Sequence, residues 1–189
     1  MKQKTPICLF IIVFFMYSLA AQNNAASHKI TINLPDVALI SVHSTNSTIT
    51  LAGKKATEAG KNIEFNAIDN STWINYSSIV GSKSKPHRAV TVELSEGEIP
   101  DGLDLHVKAS NYSGNGKGNM GKPIKKATLL TNTPVRIIKN IGSCYTGKGV
   151  NNGYNIVYSL QLNKDKDAYS KLNFEQSQTI SLTYTLTDN

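Results

Sequence analysis

Alternation of apolar and polar residues is the main pattern in this chain, and it is most regular between Gln178 and Asp188. In that stretch every second residue is apolar, and Thr or Ser occupies the positions between. A period of two in residue types that favour strands predicts a β-strand with one buried face and one face toward solvent. We expect the layer that covers the buried face to come from an earlier segment or from another molecule. The apolar positions are Ile180, Leu182, Tyr184 and Leu186.

Shorter runs of the same kind recur along the chain, separated by residues that favour turns. No apolar period of about 3.6 residues persists for three helical turns, so long helices are not expected. The pattern predicts an all-β fold, either a sandwich or a barrel. The mixed lengths of the apolar runs favour a single immunoglobulin-like antiparallel β-sandwich of about ten short strands. The other predicted strands are 28–34, 37–42, 46–51, 62–68, 73–79, 88–94, 102–109, 127–131, 135–138 and 154–162.

Three connections carry specific predictions. Asp69-Asn70-Ser71 predicts a turn, because short polar side chains bond to the nearby backbone. Asn152-Gly153 predicts a tight hairpin, since both residues tolerate positive φ angles. Residues 110–122 contain four glycines and predict a flexible surface loop without strands.

The first 21 residues have the pattern of a secretory signal peptide. Lys2 and Lys4 are followed by the apolar stretch Ile7–Met16 and by the small residues of 18–21. This stretch is short for a membrane span of about 20 residues, so we expect no transmembrane segment. The pattern predicts export, with residues 22–189 as one domain in the periplasm, on the cell surface or outside the cell. Removing the two lysines lowers the formal net charge from +7 to +5.

The chain has two cysteines, and Cys8 lies in the predicted signal peptide. The remaining one, Cys144, has no partner for an internal disulfide. In an exported protein such a thiol is either buried or pairs between chains.

Two segments resemble ligand-binding loops but lack essential residues. Residues 116–123 match a phosphate-binding loop until Pro123, where a hydroxyl should bind Mg²⁺. Residues 163–174 begin like a calcium loop, but Ala168 and Phe174 replace the required Gly and Glu. The four histidines have no local zinc spacing. We therefore predict no metal site, no cofactor and no catalytic residues.

The best candidates for ligand binding are two tyrosines and two lysines in or beside the glycine-rich segment. Tyr112 and Tyr145 offer rings that can stack on a sugar, and Lys117 and Lys122 attract anions. The lysines of the whole chain are scattered, so no basic stripe indicates nucleic-acid binding.

Several segments resemble secreted fimbrial subunits. These are the export signal, the early alternating strand around Ile30, Ile32 and Leu34, and the final strand with Tyr184. The segment from Ile141 to Gly153 and the end Thr183–Asp188 also resemble exported bacterial proteins. Pilins of chaperone–usher systems and spore-coat-U-type proteins have a comparable final strand. The resemblance implies a pilin-like sandwich that acts as a structural or adhesive surface subunit and pairs by its strand edges with itself or another surface protein. The alternatives are an extracellular glycan-binding module and a thiol hydrolase using Cys144.

Overall fold

The computed structural model describes residues 26–81 and 86–188. The predicted signal peptide lies outside the described residues. The chain comprises two units, residues 1–34 and 35–189. In the first unit, residues 26–34 contain no strand, and the side chains of Ile30, Ile32 and Leu34 are 73%, 82% and 84% exposed. The prediction of a strand at 28–34 was wrong for the isolated chain, because alternation alone does not supply a neighbouring strand for the backbone groups.

Eleven strands and two short 3₁₀ helices make up the described part of the second unit. Seven strands form one sheet and four form the other, and all pairings are antiparallel. The predicted all-β sandwich is thereby confirmed. The helices are Tyr169–Lys171 and Phe174–Gln176. The strands are β1 (Val37–Ser44), β2 (Ile68–Ile79), β3 (Arg88–Glu96), β4 (Leu103–Ser113), β5 (Lys117–Gly118), β6 (Lys122–Pro123), β7 (Thr128–Leu129), β8 (Val135–Ile141), β9 (Cys144–Tyr145), β10 (Gly153–Leu162) and β11 (Ser181–Asp188).

The sheet order determines which strands are at an edge. The larger sheet runs β5-β9-β2-β10-β4-β7, and β1 pairs with the other side of β2. The smaller sheet runs β11-β3-β8-β6. In the described residues, β1, β5 and β7 are therefore outer strands of one sheet, and β11 and β6 of the other.

The core forms where the alternating faces of the long central strands meet. Val90 and Val92 on β3 and Ile156 on β10 are fully buried, and Tyr154 is 1% exposed. Thr91 and Glu93 beside Val92, and Asn155 and Val157 beside Ile156, are only half-buried, as period-two alternation requires. The predicted strands at 88–94 and 154–162 are thus confirmed.

Two predicted strands, 46–51 and 62–68, are not strands of either sheet, except that Ile68 begins β2. Ile49, Leu51 and Phe65 still pack against the core, and one bridge joins Lys54 to Glu64. The alternation in these two segments therefore reflects the burial of one face. A segment can bury one face against the core without belonging to a sheet.

The predicted turn at Asp69–Ser71 lies inside β2. Asp69 accepts hydrogen bonds from the amide and hydroxyl of Ser71, and the register between β2 and β10 shifts here. The local bonding that predicted a turn accompanies a β-bulge instead.

The predicted hairpin at Asn152-Gly153 was also wrong. Gly153 has a φ of 85°, but β9 and β10 on either side of the turn do not pair with each other. Both pair with β2, at different positions along it. The positive φ angle was predictable, whereas the pairing depended on distant strands.

A buried arginine joins the first and last strands of this unit. Arg88 is 3% exposed, and its guanidinium donates to Asp36 at 2.5 Å and to Asp188 at 2.8 Å. It also donates to the carbonyls of Val37 and Ile79. Burial lowers the pKa of Arg88, but the bonds to the two carboxylates outweigh that effect and raise the pKa overall. We call Arg88, Asp36 and Asp188 the Arg88 cluster.

We expect Arg88→Met to lower the free energy of unfolding by about 3 kcal/mol, because it removes a buried charged donor and leaves two carbonyls and two carboxylates without it. Urea denaturation measures this. The matched control is Arg136→Met on β8, where the side chain is exposed and the expected change is within about 0.5 kcal/mol. Equal effects of the two substitutions would contradict a structural role for the cluster.

Candidate functional site

Two of the four predicted ligand-binding residues are neighbours in the fold. Lys117 on β5 pairs in register with Tyr145 on β9. Lys117 is exposed, and the Tyr145 side chain is 49% exposed. A cation and an aromatic ring are therefore presented together at one end of the larger sheet.

These residues line a shallow surface concavity of about 370 Å³. The end of β2 and the segment around β9 form the rest of its wall. The lining residues are Ser77, Ser78, Ile79, Lys117, Gly118, Ser143, Cys144 and Tyr145. A concavity with one aromatic ring and one charged group has the elements of a small-ligand site, although most such sites enclose their ligand more fully.

Tyr112 and Lys122 lie apart from this concavity. The Tyr112 hydroxyl donates to the carbonyl of Thr146 at 3.1 Å and accepts from the amide of Gly116 at 2.6 Å. Its ring is half-buried and packs against Tyr154 at 5.8 Å between ring centroids. Lys122 lies on β6 in the other sheet, opposite Lys139. Tyr112 therefore has a clear packing role, and ligand binding by either residue stays a prediction.

Two other tyrosines, Tyr76 and Tyr154, are core residues. Tyr76 and Tyr154 are 3% and 1% exposed, and their rings stack at 6.0 Å. Their hydroxyls donate to the carbonyl of Met120 at 2.5 and 2.8 Å. Burial raises the pKa of Tyr154 to about 12 and that of Tyr76 further, so both remain protonated donors at neutral pH.

The predicted flexible loop at 110–122 is therefore held by hydrogen bonds and by strand pairing. β4 extends to Ser113, and β5 and β6 lie within 110–123, so the prediction of a segment without strands was wrong. A Cβ at Gly116 would lie 2.0 Å from the carbonyl oxygen of Tyr145, and one at Gly118 would lie 2.3 Å from that of Ser143. Gly116 and Gly118 therefore allow close backbone approach to β9, a role that involves no phosphate ligand.

Cys144 lies at the concavity but is 6% exposed. Burial raises the pKa of its thiol to about 11, so the thiolate is scarce at neutral pH. In residues 26–81 and 86–188, no group of three or more His, Cys, Asp or Glu side chains is arranged to bind a metal ion. This environment gives Cys144 little nucleophilic character.

Comparison with known proteins does not assign the chain to a family: no family model, curated protein or solved structure matches it. Across the described residues, no helix has the length and apolar character needed to cross a membrane.

Native Cys144 should react with iodoacetamide at least about tenfold more slowly at neutral pH than it does in denaturant, because it is buried and protonated. The folded-state rate should rise with pH toward about 11, the pKa of the thiol. Ser143→Cys is the control, since residue 143 is exposed and its thiol should react quickly. A fast native reaction at Cys144, or a dimer on a non-reducing gel, would contradict its burial.

Proposed function

We propose that this chain is an exported, non-enzymatic structural or adhesive protein that assembles with itself or with another surface protein through strand-edge pairing. The signal-peptide pattern of residues 1–21 supports a secreted location, in the periplasm, on the cell surface or outside the cell. The pilin-like pattern of the last strand supports a fimbrial type of assembly.

The observation that carries this proposal is that two long strands, β1 and β11, each pair on one side only among the described residues. β5, β6 and β7 have two residues each, and β6 contains Pro123, so these outer strands offer little for pairing. β1 and β11 have eight residues each and contain neither Lys nor Pro. Leu39 on β1 adds a side chain that is 65% exposed. Monomeric proteins usually protect such edges, because these edges accept strands from other chains.

Strand addition has a simple energetic basis. The main-chain groups of the added strand bond to the open edge and provide affinity, while its alternate side chains provide specificity. This mode of assembly needs no catalytic group. It also needs no disulfide, and Cys144 is the only cysteine outside the predicted signal peptide.

We expect the full chain, expressed with its own export signal, to self-associate as its concentration rises or to retain a partner from the native source. Light scattering after size exclusion and chemical cross-linking measure it. Leu39→Lys combined with Thr185→Lys should weaken association, because lysine on an edge strand opposes pairing. Gln161→Lys, exposed on the internal strand β10, should not. A partnerless monomer in both purified and native material would refute the proposal.

The second candidate function is glycan binding, which the exposed ring of Tyr145 beside Lys117 favours. Tyr145→Ala should weaken binding of a sugar identified on a glycan array by about tenfold, through loss of stacking. Phe174→Ala, another exposed aromatic residue outside the concavity, is the control. An array without any binder, or unchanged affinity in the Tyr145 variant, would exclude this function.

A further inference from the structure

Pairing of β6 with β8 brings three basic side chains together on the smaller sheet. Arg136 and Lys139 lie on β8, and Lys122 on β6 is the register partner of Lys139. All three residues are exposed. The two lysines are directly opposite each other on neighbouring strands, an arrangement in which like charges repel and destabilise the pair. We call Lys122, Arg136 and Lys139 the cationic patch.

Alternation places the cationic patch on the outer face of the sheet, away from the core. Thr91 lies between two core residues of β3 and therefore points outward, and Arg136 is its register partner. On β8, Lys139 directly follows the core residue Ile138. Successive side chains of a strand point to opposite faces, so these cations face solvent.

The charge of the patch is not neutralised within the chain. Among residues 26–81 and 86–188, no acidic side chain forms an ion pair with Lys122, Arg136 or Lys139. Glu93, an acidic residue of the same sheet, lies on β3 opposite Thr183 and is half-buried. The outer face at β6 and β8 therefore remains positively charged and attracts anions.

Threonine hydroxyls border the cationic patch. Thr185 on β11, Thr91 on β3 and Arg136 on β8 form one register row across three strands. Thr183 and Thr187 lie two residues to either side of Thr185 and are also exposed. Neighbouring strands are about 4.8 Å apart and alternate residues of one strand about 6.8 Å apart. Hydroxyl groups therefore cover one half of this face at close spacing, and cations cover the other half.

The smaller sheet offers no large apolar side chain to a ligand. In the part of the chain that the structure describes, every exposed large apolar side chain lies outside β3, β6, β8 and β11. Binding to a membrane surface needs apolar residues beside the cations, and binding of single-stranded nucleic acid uses exposed aromatic rings. Cations and hydroxyls without apolar groups instead match a hydrated polymer that carries both anions and hydroxyls.

We propose that the outer face of the smaller sheet binds an acidic polysaccharide, with the cationic patch on its carboxylates and the threonines on its hydroxyls. Arg136 supplies a planar fork that pairs with a carboxylate through two hydrogen bonds, and the two lysines supply point charges. A carboxylate between Lys122 and Lys139 also relieves their repulsion. A polymer with repeated carboxylates contacts several cations at once, so individually weak contacts combine into a higher affinity.

This inference names a ligand class for the proposed surface protein and rests on the predicted export, which brings the chain to extracellular polysaccharides. It is independent of the concavity at Lys117 and Tyr145, which belongs to the larger sheet. It also differs in chemistry, because ion pairs provide the affinity here and ring stacking would provide it there.

Binding of polygalacturonate to the full chain, measured by isothermal titration calorimetry at low salt, tests this inference, and neutral dextran is the negative control. Replacing all three cations by glutamine should weaken binding at least about tenfold, the effect of losing three exposed ion pairs. A matched variant loses three exposed lysines outside the smaller sheet and should bind within about threefold of the parent. The patch variant carries Lys122→Gln, Arg136→Gln and Lys139→Gln, and the matched variant carries Lys55→Gln, Lys108→Gln and Lys164→Gln. A parent that does not bind, or equal losses in the two variants, would overturn the proposal.

Salt and thermal unfolding separate binding at the patch from a general effect of charge or folding. Added salt should weaken binding to the parent and the matched variant much more than binding to the patch variant, since salt screens the ion pairs of the patch. Polygalacturonate should raise the unfolding temperature of the parent, because a ligand stabilises the folded state that binds it. The patch variant should be at least as stable as the parent, because it lacks the opposed lysines. An equal rise with polygalacturonate in the patch variant would place the binding elsewhere and refute the proposal.

Vesicles containing phosphatidylglycerol and single-stranded DNA are the competing anionic partners. At equal concentrations of negative charge the parent should bind polygalacturonate more tightly than either, and the reverse order would overturn the polysaccharide as the ligand. The outcomes also separate this inference from the proposed assembly. A chain that assembles, but whose patch variant binds polygalacturonate as well as the parent does, refutes this inference alone. A partnerless monomer that binds polygalacturonate through the patch refutes assembly alone.

Discussion

Burial of one face of each strand is the constraint on which this structure depends. The chain has no internal disulfide available outside its predicted signal peptide, so its two sheets are stabilised by the contact between their apolar faces. That contact is complete where β3 and β10 contribute Val90, Val92 and Ile156, all fully buried. It is incomplete at β11, where the inward residues remain half-buried. β11 is an outer strand of its sheet, so its inward residues are covered less completely than those of the inner strands.

Buried polar groups stabilise the parts of the chain that the sheets do not cover. The hydroxyls of Tyr76 and Tyr154 bond to the glycine-rich segment, and Arg88 joins Asp36 to Asp188. Tyr76, Tyr154 and Arg88 are buried with hydrogen-bond partners, which offset the cost of removing these groups from water. The glycine-rich segment and the ends of the first and last strands are consequently anchored to the sandwich. The same bonds give these aromatic and charged residues structural roles.

The functional interpretation rests on the long strand edges that have no partner strand among the described residues. Long edges without Lys or Pro are unusual in a protein that has no partner. The segment 28–34 has an alternating apolar pattern with its side chains exposed. Strand addition explains both features through one interaction, whereas a sugar site at Lys117 and Tyr145 explains only the concavity. Assembly is therefore the more economical proposal, and glycan binding is compatible with it because the two surfaces involve different residues.

The sequence by itself determined the fold class and the position of most long strands, because period-two alternation directly reflects one buried face. Alternation also identified the inward positions of β3. The same alternation places Arg88 inward. A charged residue among inward apolar residues should have indicated a buried ion pair. Tertiary structure decided the rest. Only the fold showed that Asp69–Ser71 is a bulge, that Asn152-Gly153 joins strands that do not pair, and that Lys117 lies opposite Tyr145 while Lys122 belongs to the other sheet. The physical reason is range: alternation and turn chemistry act between residues close in sequence, whereas pairing and the meeting of side chains depend on contacts between distant segments.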